Sequence, residues 1–225
     1  MTALLPAIEL EPRGTPSATV IVLHGLGADG NDFVPIVHEL DLDGAPPIRF
    51  VFPHAPVMPV TINGGMPMPA WYDILGTDLV RREDEAGLRT SLAAVLALIA
   101  RENERGIANA NIVLAGFSQG CAMALMTGVR VAEPLAGIIG LSGYLPLSEA
   151  TAAERNPATV KTPVFLAHGI ADPVVAIARG LASRDRLVEL GYEVDWNEYP
   201  MTHSVCVPEI VDLGRFITGV LGKAR

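Results

Sequence analysis

The chain has 225 residues, of which 50% are hydrophobic and 18% charged, and its formal net charge is −9 at pH 7. This length and apolar content support one domain with a substantial core and exclude an intrinsically disordered chain. The acidic balance argues against nucleic acid as a partner, because nucleic-acid binders present a basic face. No apolar run approaches the roughly 18 residues of a membrane span, so we expect no integral membrane association.

The N-terminus and the cysteines indicate the compartment. The first residues lack the basic start and the sustained apolar run of a secretory signal peptide. The two cysteines, Cys121 and Cys206, lie far apart in sequence, which is not the pattern of a disulfide scaffold. We therefore expect a cytoplasmic protein with two structural thiols.

Short apolar runs alternate with helical patterns along the chain. Strands are predicted at 19–23, 48–52, 112–115, 136–141 and 163–167, and an alternating pattern predicts an edge strand at 192–199. Helices are predicted at 31–40, between Glu83 and Gly106, and at 119–129, 176–190 and 208–221. This alternation predicts a single α/β domain over residues 1–225, with a mainly parallel central sheet and helices on both faces. Ligands bind such sheets beyond the carboxyl ends of the strands.

The proline-rich segment 53–75 matches neither pattern and is predicted to be a long loop. Long ordered loops in compact domains are usually functional. Its flexible apolar side chains suit an acyl chain. A satellite hydrophobic cluster that holds the loop down is an open alternative. The candidate substrate-binding residues of this loop are Met66, Met68, Trp71 and Leu75.

The sharpest motif is Gly116-Phe117-Ser118-Gln119-Gly120, which follows one predicted strand and opens an apolar helix. A Gly-x-Ser-x-Gly pattern in this context is the nucleophile elbow, a sharp turn that presents the serine hydroxyl above the sheet. Bulky flanking residues would collide in such a turn. Ser118 is therefore the predicted nucleophile.

A serine needs a base and an orienting acid, and in this arrangement they follow it in the order acid, histidine. Of the chain's five histidines only His168 and His203 follow Ser118, and His168 comes too early to leave room for an acid. We therefore predict His203 as the base. Asp172, directly after a predicted strand, is the predicted acid, although Asp before Pro is also a helix-capping signal.

The tetrahedral intermediate of acyl transfer needs two hydrogen-bond donors for its oxyanion. The residue after the nucleophile supplies one backbone N–H, which predicts Gln119. The glycine-rich turn after the first buried strand is the predicted source of the second, from Leu26. A turn without chemistry is the alternative reading of that segment. No cluster of His, Cys, Asp and Glu has metal-ligand spacing, so we expect no metal.

Seven motifs in order resemble the bacterial carboxylesterase and acyl-protein thioesterase family, also called phospholipase/carboxylesterase. They are Leu23–Gly30, Ile62–Gly65, Trp71–Asp73, Glu83–Gly87, Gly116–Gly120, His168–Gly169 with Asp172–Val175, and His203–Cys206. The resemblance implies the α/β-hydrolase fold, no cofactor, hydrolysis of small-molecule carboxylic esters or thioesters, and a homodimer. It also implies the triad Ser118, Asp172 and His203, the oxyanion donors Leu26 and Gln119, and a substrate-covering role for 53–75.

The substrate stays open at this point. Short- to medium-chain acyl esters fit the residues best, whereas a lysophospholipase or a protein-depalmitoylating thioesterase would use the same site. A peptidase would use it as well, but nothing in the sequence marks an amide substrate. A non-catalytic binding protein on the same fold is the alternative of another class. Thr202 and Val207 replace the Gly and Pro that are common in the family at these positions.

Overall fold

A seven-stranded sheet runs through the centre of the molecule. The computed structural model describes residues 4–76 and 83–222; the remaining residues of the predicted domain 1–225 lie outside the described part. The strands are β1 (Ala7–Leu10), β2 (Ala18–Leu23), β3 (Ile48–Pro53), β6 (Ile112–Phe117), β7 (Gly137–Leu141), β8 (Val164–Gly169) and β9 (Val194–Tyr199), in the spatial order β1-β3-β2-β6-β7-β8-β9. All neighbours are parallel except β1, which pairs antiparallel with β3.

Helices cover both faces of the sheet. They are α1 (Glu85–Glu104), α2 (Gln119–Gly128), α3 (Ser148–Glu154), α4 (Ile177–Glu189) and α5 (Val207–Leu221). The two faces follow from the alternation of side chains along a strand. In β6, Ile112 and Leu114 join the core cluster that includes α1 and α2, whereas Val113 and Ala115 join the cluster that includes α5. The predicted α/β fold with a mainly parallel sheet is confirmed.

The helix ends agree with the sequence signals. Asp84 caps α1, since its side chain accepts a hydrogen bond from the Gly87 N–H. Gly106 follows the last turn of α1 with a φ of 90°, a left-handed conformation that favours glycine. These two signals place α1 where the sequence predicts it. The predicted edge strand 192–199 is confirmed as β9 at one end of the sheet.

Several elements differ from the prediction. The predicted helix 31–40 is wrong: only a 3₁₀ helix forms, at Val34–His38. The Asp29 side chain accepts a hydrogen bond from the Asn31 N–H, and such local turns compete with helix formation. Strand β1 has four residues, too short for its pattern to be read. Helix α3 was also not predicted.

The segment 53–75 contains a hairpin instead of an irregular loop. Its strands β4 (Val57–Val60) and β5 (Met66–Pro69) form a separate two-stranded sheet. Pro59 pairs with Pro67 across the hairpin, a position where neither residue has an N–H to donate. Pro59 and Pro67 therefore occupy a non-hydrogen-bonded pair of the hairpin. For this reason a proline-rich segment can still form strands here.

Candidate active site

Ser118 occupies the tight turn between β6 and α2. Its φ is 55° and its ψ −114°, a conformation that L-residues rarely adopt. A Cβ atom on Gly116 would overlap the backbone carbonyl of Gly120, and one on Gly120 would overlap the carbonyl of Leu23. Glycine is thus required on both sides of the serine. The Ser118 N–H donates to the Leu141 carbonyl at 2.8 Å, which ties the turn to β7.

His203 lies between Ser118 and Asp172. The distance from His203 Nε2 to Ser118 Oγ is 2.9 Å, and that from His203 Nδ1 to Asp172 Oδ2 is 2.7 Å. A carboxylate only accepts, so Nδ1 carries the hydrogen and Nε2 is free to accept from the serine hydroxyl. The other carboxylate oxygen, Oδ1, accepts from the N–H groups of Val174 and Val175 at 2.8 and 2.9 Å.

Burial differs along this chain of hydrogen bonds. The side chain of Asp172 is 0% exposed, whereas that of His203 is 15% exposed. The carboxylate is therefore shielded from water while the imidazole borders the surface. Low local dielectric strengthens the Asp172–His203 hydrogen bond. Helix α4 begins at Ile177 and has Ala176 at its N-cap, so Asp172 does not cap that helix.

The loop that carries His203 joins β9 to α5. The His203 ring packs against the Phe117 ring, with 4.8 Å between ring centroids and 45° between the ring planes. The far end of the loop is held by a capping box: the Cys206 side chain accepts from the Glu209 N–H, and the Glu209 carboxylate accepts from the Cys206 N–H. Glu209 is fully buried, and this burial raises its pKa to about 8.

The two predicted oxyanion donors belong to segments that meet at Ser118. Leu26 and Gln119 line the same cleft as the serine. Gln119 is the first residue of α2, and the N–H groups of a first helical turn have no partner within the helix. The backbone next to Leu26 is anchored by the Gly27 N–H, which donates to the Pro69 carbonyl at 2.9 Å.

His24 stiffens the turn that contains Leu26. Its Nδ1 lies 2.7 Å from the Gly25 carbonyl, and its Nε2 accepts from the Ala55 N–H at 3.1 Å. Burial lowers the pKa of His24, which favours the neutral ring that these contacts require. The Trp71 indole N–H donates to the His24 carbonyl at 2.9 Å. The turn is thereby joined to the segment 53–75.

The Gln119 side chain has a second contact that the sequence did not suggest. Its Oε1 accepts from the Trp71 N–H at 2.8 Å, and its Nε2 donates to the Tyr72 carbonyl at 2.7 Å. One side chain therefore pairs with both an N–H and a carbonyl of the backbone at 71–72. This contact fixes the segment 53–75 to the first turn of α2.

A cleft of about 290 Å³ opens beside Ser118. Its walls are mostly apolar and include Leu26, Ile62, Tyr72, Ile74, Tyr144 and Val174. Segment 53–75 supplies several of these residues, but not the four that the sequence suggested. The described lining lacks Met66, Met68, Trp71 and Leu75.

Packing explains where those four side chains go. Trp71 is 1% exposed and belongs to the core, while Met66, on the hairpin, is 62% exposed. Met68 is half-buried, and its sulfur accepts from the Asn63 side chain at 3.3 Å. Leu75 is half-buried outside the cleft. The cleft lining from this segment comes instead from Ile62, Asn63, Tyr72 and Ile74, before and after β5, and composition alone does not reveal this.

The structure also adds a pair of tyrosines to the cleft. The hydroxyls of Tyr72 and Tyr144 are 2.9 Å apart, and both side chains are buried. Burial raises the pKa of both phenols, which stay neutral. Tyr144 follows β7, so the rule that sites lie beyond the carboxyl ends of strands could have found it. Cys121, in α2, is buried, and burial raises the pKa of its thiol to about 12, which fits a packing role.

A family model described as phospholipase/carboxylesterase matches residues 6–221. The chain belongs to the phospholipase/carboxylesterase family. Among relatives in this family, it is 44% identical over 219 residues to acyl-protein thioesterase 1 of Neurospora crassa, covering 92% of this chain and 88% of that protein. It is 40% identical over 213 residues to acyl-protein thioesterase 1 of Yarrowia lipolytica, covering 92% and 94%.

Solved structures agree with this membership of the phospholipase/carboxylesterase family. Arabidopsis thaliana SOBER1 superposes with a TM-score of 0.86 at 28% identity, covering 91% of this chain and 99% of that one. Zea mays acyl-protein thioesterase 2 gives a TM-score of 0.85 at 29% identity, covering 96% and 99%. The α/β-hydrolase fold and a serine hydrolase that acts on carboxylic esters or thioesters are therefore established. Within residues 4–76 and 83–222, none of the helices has the length and apolar character needed to cross a bilayer.

Proposed function

We propose that Ser118, His203 and Asp172 form a catalytic triad that hydrolyses acyl thioesters and esters through an acyl-enzyme. The observation that carries this proposal is the position of His203, within 2.9 Å of the serine hydroxyl and 2.7 Å of a fully shielded carboxylate. This is the arrangement in which an imidazole accepts the serine proton while the acid holds its tautomer.

The reaction has two halves. Ser118 Oγ attacks the acyl carbonyl carbon as its proton moves to His203 Nε2, and the backbone N–H groups of Leu26 and Gln119 stabilise the oxyanion. The intermediate collapses, the bond to sulfur or oxygen breaks, and the imidazolium protonates the leaving thiolate or alkoxide. Water then gives a proton to His203 and attacks the acyl-enzyme, which releases the carboxylic acid and restores the serine. Asp172 holds the imidazole in the required tautomer and stabilises the imidazolium.

The acyl group is proposed to occupy the cleft beside Ser118. Its apolar walls, Ile62, Ile74 and Val174 among them, provide the environment that a hydrocarbon chain requires. Several of these walls come from segment 53–75, which supports its role as the substrate-covering part of the fold. The names of the relatives, acyl-protein thioesterase 1, favour a thioester substrate.

Location and assembly remain predictions within this proposal. Two free cysteines, Cys121 and Cys206, are compatible with the reducing cytoplasm. A homodimer rests on the family resemblance alone. Size-exclusion chromatography with light scattering would measure the mass in solution.

The decisive experiment compares the wild type with Ser118→Ala on matched thioester and p-nitrophenyl ester series of increasing acyl length. Loss of the serine in a comparable triad lowers turnover by about 10⁶-fold, so the variant should show only background hydrolysis. Circular dichroism confirms that the variant is folded. Turnover by Ser118→Ala at the wild-type rate would reject the mechanism, and a binder without chemistry would show no wild-type turnover on any substrate.

A further inference from the structure

The acid of the proposed triad has a second imidazole beside it. Asp172 Oδ2, the oxygen that contacts His203, also lies 3.5 Å from Nε2 of His168. His168 is the last residue but one of β8 and is 1% exposed. The reaction described above makes no use of it.

The orientation of the His168 ring is fixed by its hydrogen bond. Its Nε2 lies 2.8 Å from the Val175 carbonyl, and because a carbonyl only accepts, Nε2 carries the hydrogen. The same N–H edge faces Asp172 Oδ2. Val175 in turn donates its own N–H to Asp172 Oδ1. A closed ring of contacts thus joins His168, Asp172 and Val175. The last two lie in the loop 170–176 between β8 and α4, which we call the acid loop.

Packing leaves the His168 ring little room to move. It stacks on Trp196 of β9, with 6.3 Å between centroids and 30° between the ring planes. A Cβ atom on Gly180 of α4 would lie 2.6 Å from His168 Nδ1, so the helix approaches the ring as closely as a glycine permits. The imidazole is held on two sides by elements that form no part of the site.

The acid loop is also hydrogen-bonded to the loop between β9 and α5, which carries His203. The Ile170 N–H donates to the Tyr199 carbonyl at 2.9 Å, and the Ala171 N–H donates to the Met201 carbonyl at 3.2 Å. A shift of the acid loop would therefore move the backbone that leads to His203. Small displacements in a site of this kind are costly for catalysis.

We propose that His168 is a positioning residue for the triad: its Nε2–H closes the acid loop on the Val175 carbonyl and holds Asp172 Oδ2 against His203. This inference rests on the proposed function of Ser118, His203 and Asp172. His168 does not touch the substrate and exchanges no proton in the reaction. Because β8, β9 and α4 hold the His168 ring in place, the ring in turn restricts the position of the Asp172 carboxylate.

The test compares His168→Gln with His168→Met. Both side chains are unbranched and similar in size, but only glutamine retains an N–H donor near the position of Nε2. We expect the Met variant to lower kcat about 100-fold with KM nearly unchanged, because the misplaced acid acts on the transition state. The Gln variant should stay within about fivefold of the wild type, since it keeps the donor. Equal kcat values for the two variants would overturn the proposal.

A double-mutant cycle separates positioning from general damage. If His168 acts through Asp172, then in an Asp172→Asn background His168→Met should lower kcat/KM by less than about threefold. A cost in that background as large as in the wild type would overturn the proposal. If the Met variant does not fold, the low-field proton resonance of His203 Nδ1 is measured in His168→Gln and in His168→Asn. An unchanged resonance in the Gln variant supports the positioning role. A resonance that shifts equally in the Gln and Asn variants contradicts it.

The experiment distinguishes failure of the positioning role of His168 from failure of the proposed hydrolase mechanism. Wild-type turnover in the same assay is measured first, and its absence would reject the hydrolase mechanism itself. An active wild type with unaffected His168 variants would reject only the positioning role. His38→Gln, at an exposed histidine of the 3₁₀ helix, serves as the control and should keep wild-type kcat.

Discussion

The turn that holds Ser118 and the loop that holds His203 are fixed by different physical means. The turn depends on backbone contacts: Gly116 and Gly120 approach neighbouring carbonyls so closely that no Cβ atom fits. The loop depends on side chains, since His203 is placed by Phe117, Asp172 and the capping box farther along the chain. The nucleophile is therefore encoded locally, whereas its base is encoded by contacts across 85 residues.

This difference predicts different consequences of mutation. Changes in the turn should affect folding and activity together, because the turn joins β6 to α2 and also packs against the end of β2. Changes around the loop should affect activity or its pH dependence while most of the fold persists.

Gly120→Ala should be the most damaging. The new Cβ would overlap the Leu23 carbonyl, an atom of the central sheet that cannot move aside. We expect the free energy of unfolding to fall by about 3 kcal/mol, at the upper end for overpacking, and turnover to be lost. Denaturant unfolding measures the first and ester hydrolysis the second.

Gly219→Ala is the matched control for this substitution. It lies in α5 with open space at the Cβ position, and alanine favours helices over glycine by about 1 kcal/mol. This variant should be at least as stable as the wild type. Equal stability of Gly120→Ala and Gly219→Ala would show that the turn does not depend on its backbone contacts.

Glu209→Gln tests the anchor of the histidine loop. Burial raises the pKa of Glu209 from 4.5 to about 8 in the folded protein. Between these values the unfolded chain has lost the proton that the folded chain still holds, so the stabilising contribution is full below pH 4.5 and is lost as pH rises through 8. The wild type should therefore lose stability relative to Glu209→Gln with a slope of up to about 1.4 kcal/mol per pH unit.

The measurement is the free energy of unfolding of both proteins from pH 5 to pH 8. Tyr199 and Asp212, joined by a hydrogen bond of 2.9 Å, lie near Glu209 and are unchanged in both proteins, so the difference isolates the one carboxyl. Glu104→Gln, at an exposed carboxylate on α1, is the control. A constant difference between wild type and Glu209→Gln across this range would contradict the assignment.

Phe117→Leu should have the smallest effect and links the two regions. Its side chain starts in the turn but packs on the His203 ring. Aromatic pairs contribute about 1 kcal/mol beyond burial, so kcat should fall about fivefold without loss of the fold. Phe216→Leu, which removes a comparable contact with Phe165 away from the cleft, should leave kcat unchanged. Identical kcat values for the two variants would show that Phe117 does not orient the histidine.

The difference between local backbone contacts and contacts distant in sequence also explains which features the sequence predicts. The order and type of most strands and helices follow from periodicity, and the glycines around Ser118 predict the turn because sterics allow little else. Segment 53–75 is not predicted as well, since its prolines obscure the hairpin and the cleft is lined by residues outside β5, so Met66 and Met68 are not among them. The contacts of Gln119 with 71–72 and of His168 with Asp172 depend on tertiary packing that no local pattern records.

The most direct test of the triad is the site and rate of labelling by a fluorophosphonate, followed by peptide mapping. We expect one phosphonate per folded chain, on Ser118, and a labelling rate that falls by about 10³-fold or more in His203→Ala, because the serine then lacks its base. A folded wild type that does not react, reacts at another residue, or reacts equally fast without His203 would contradict it.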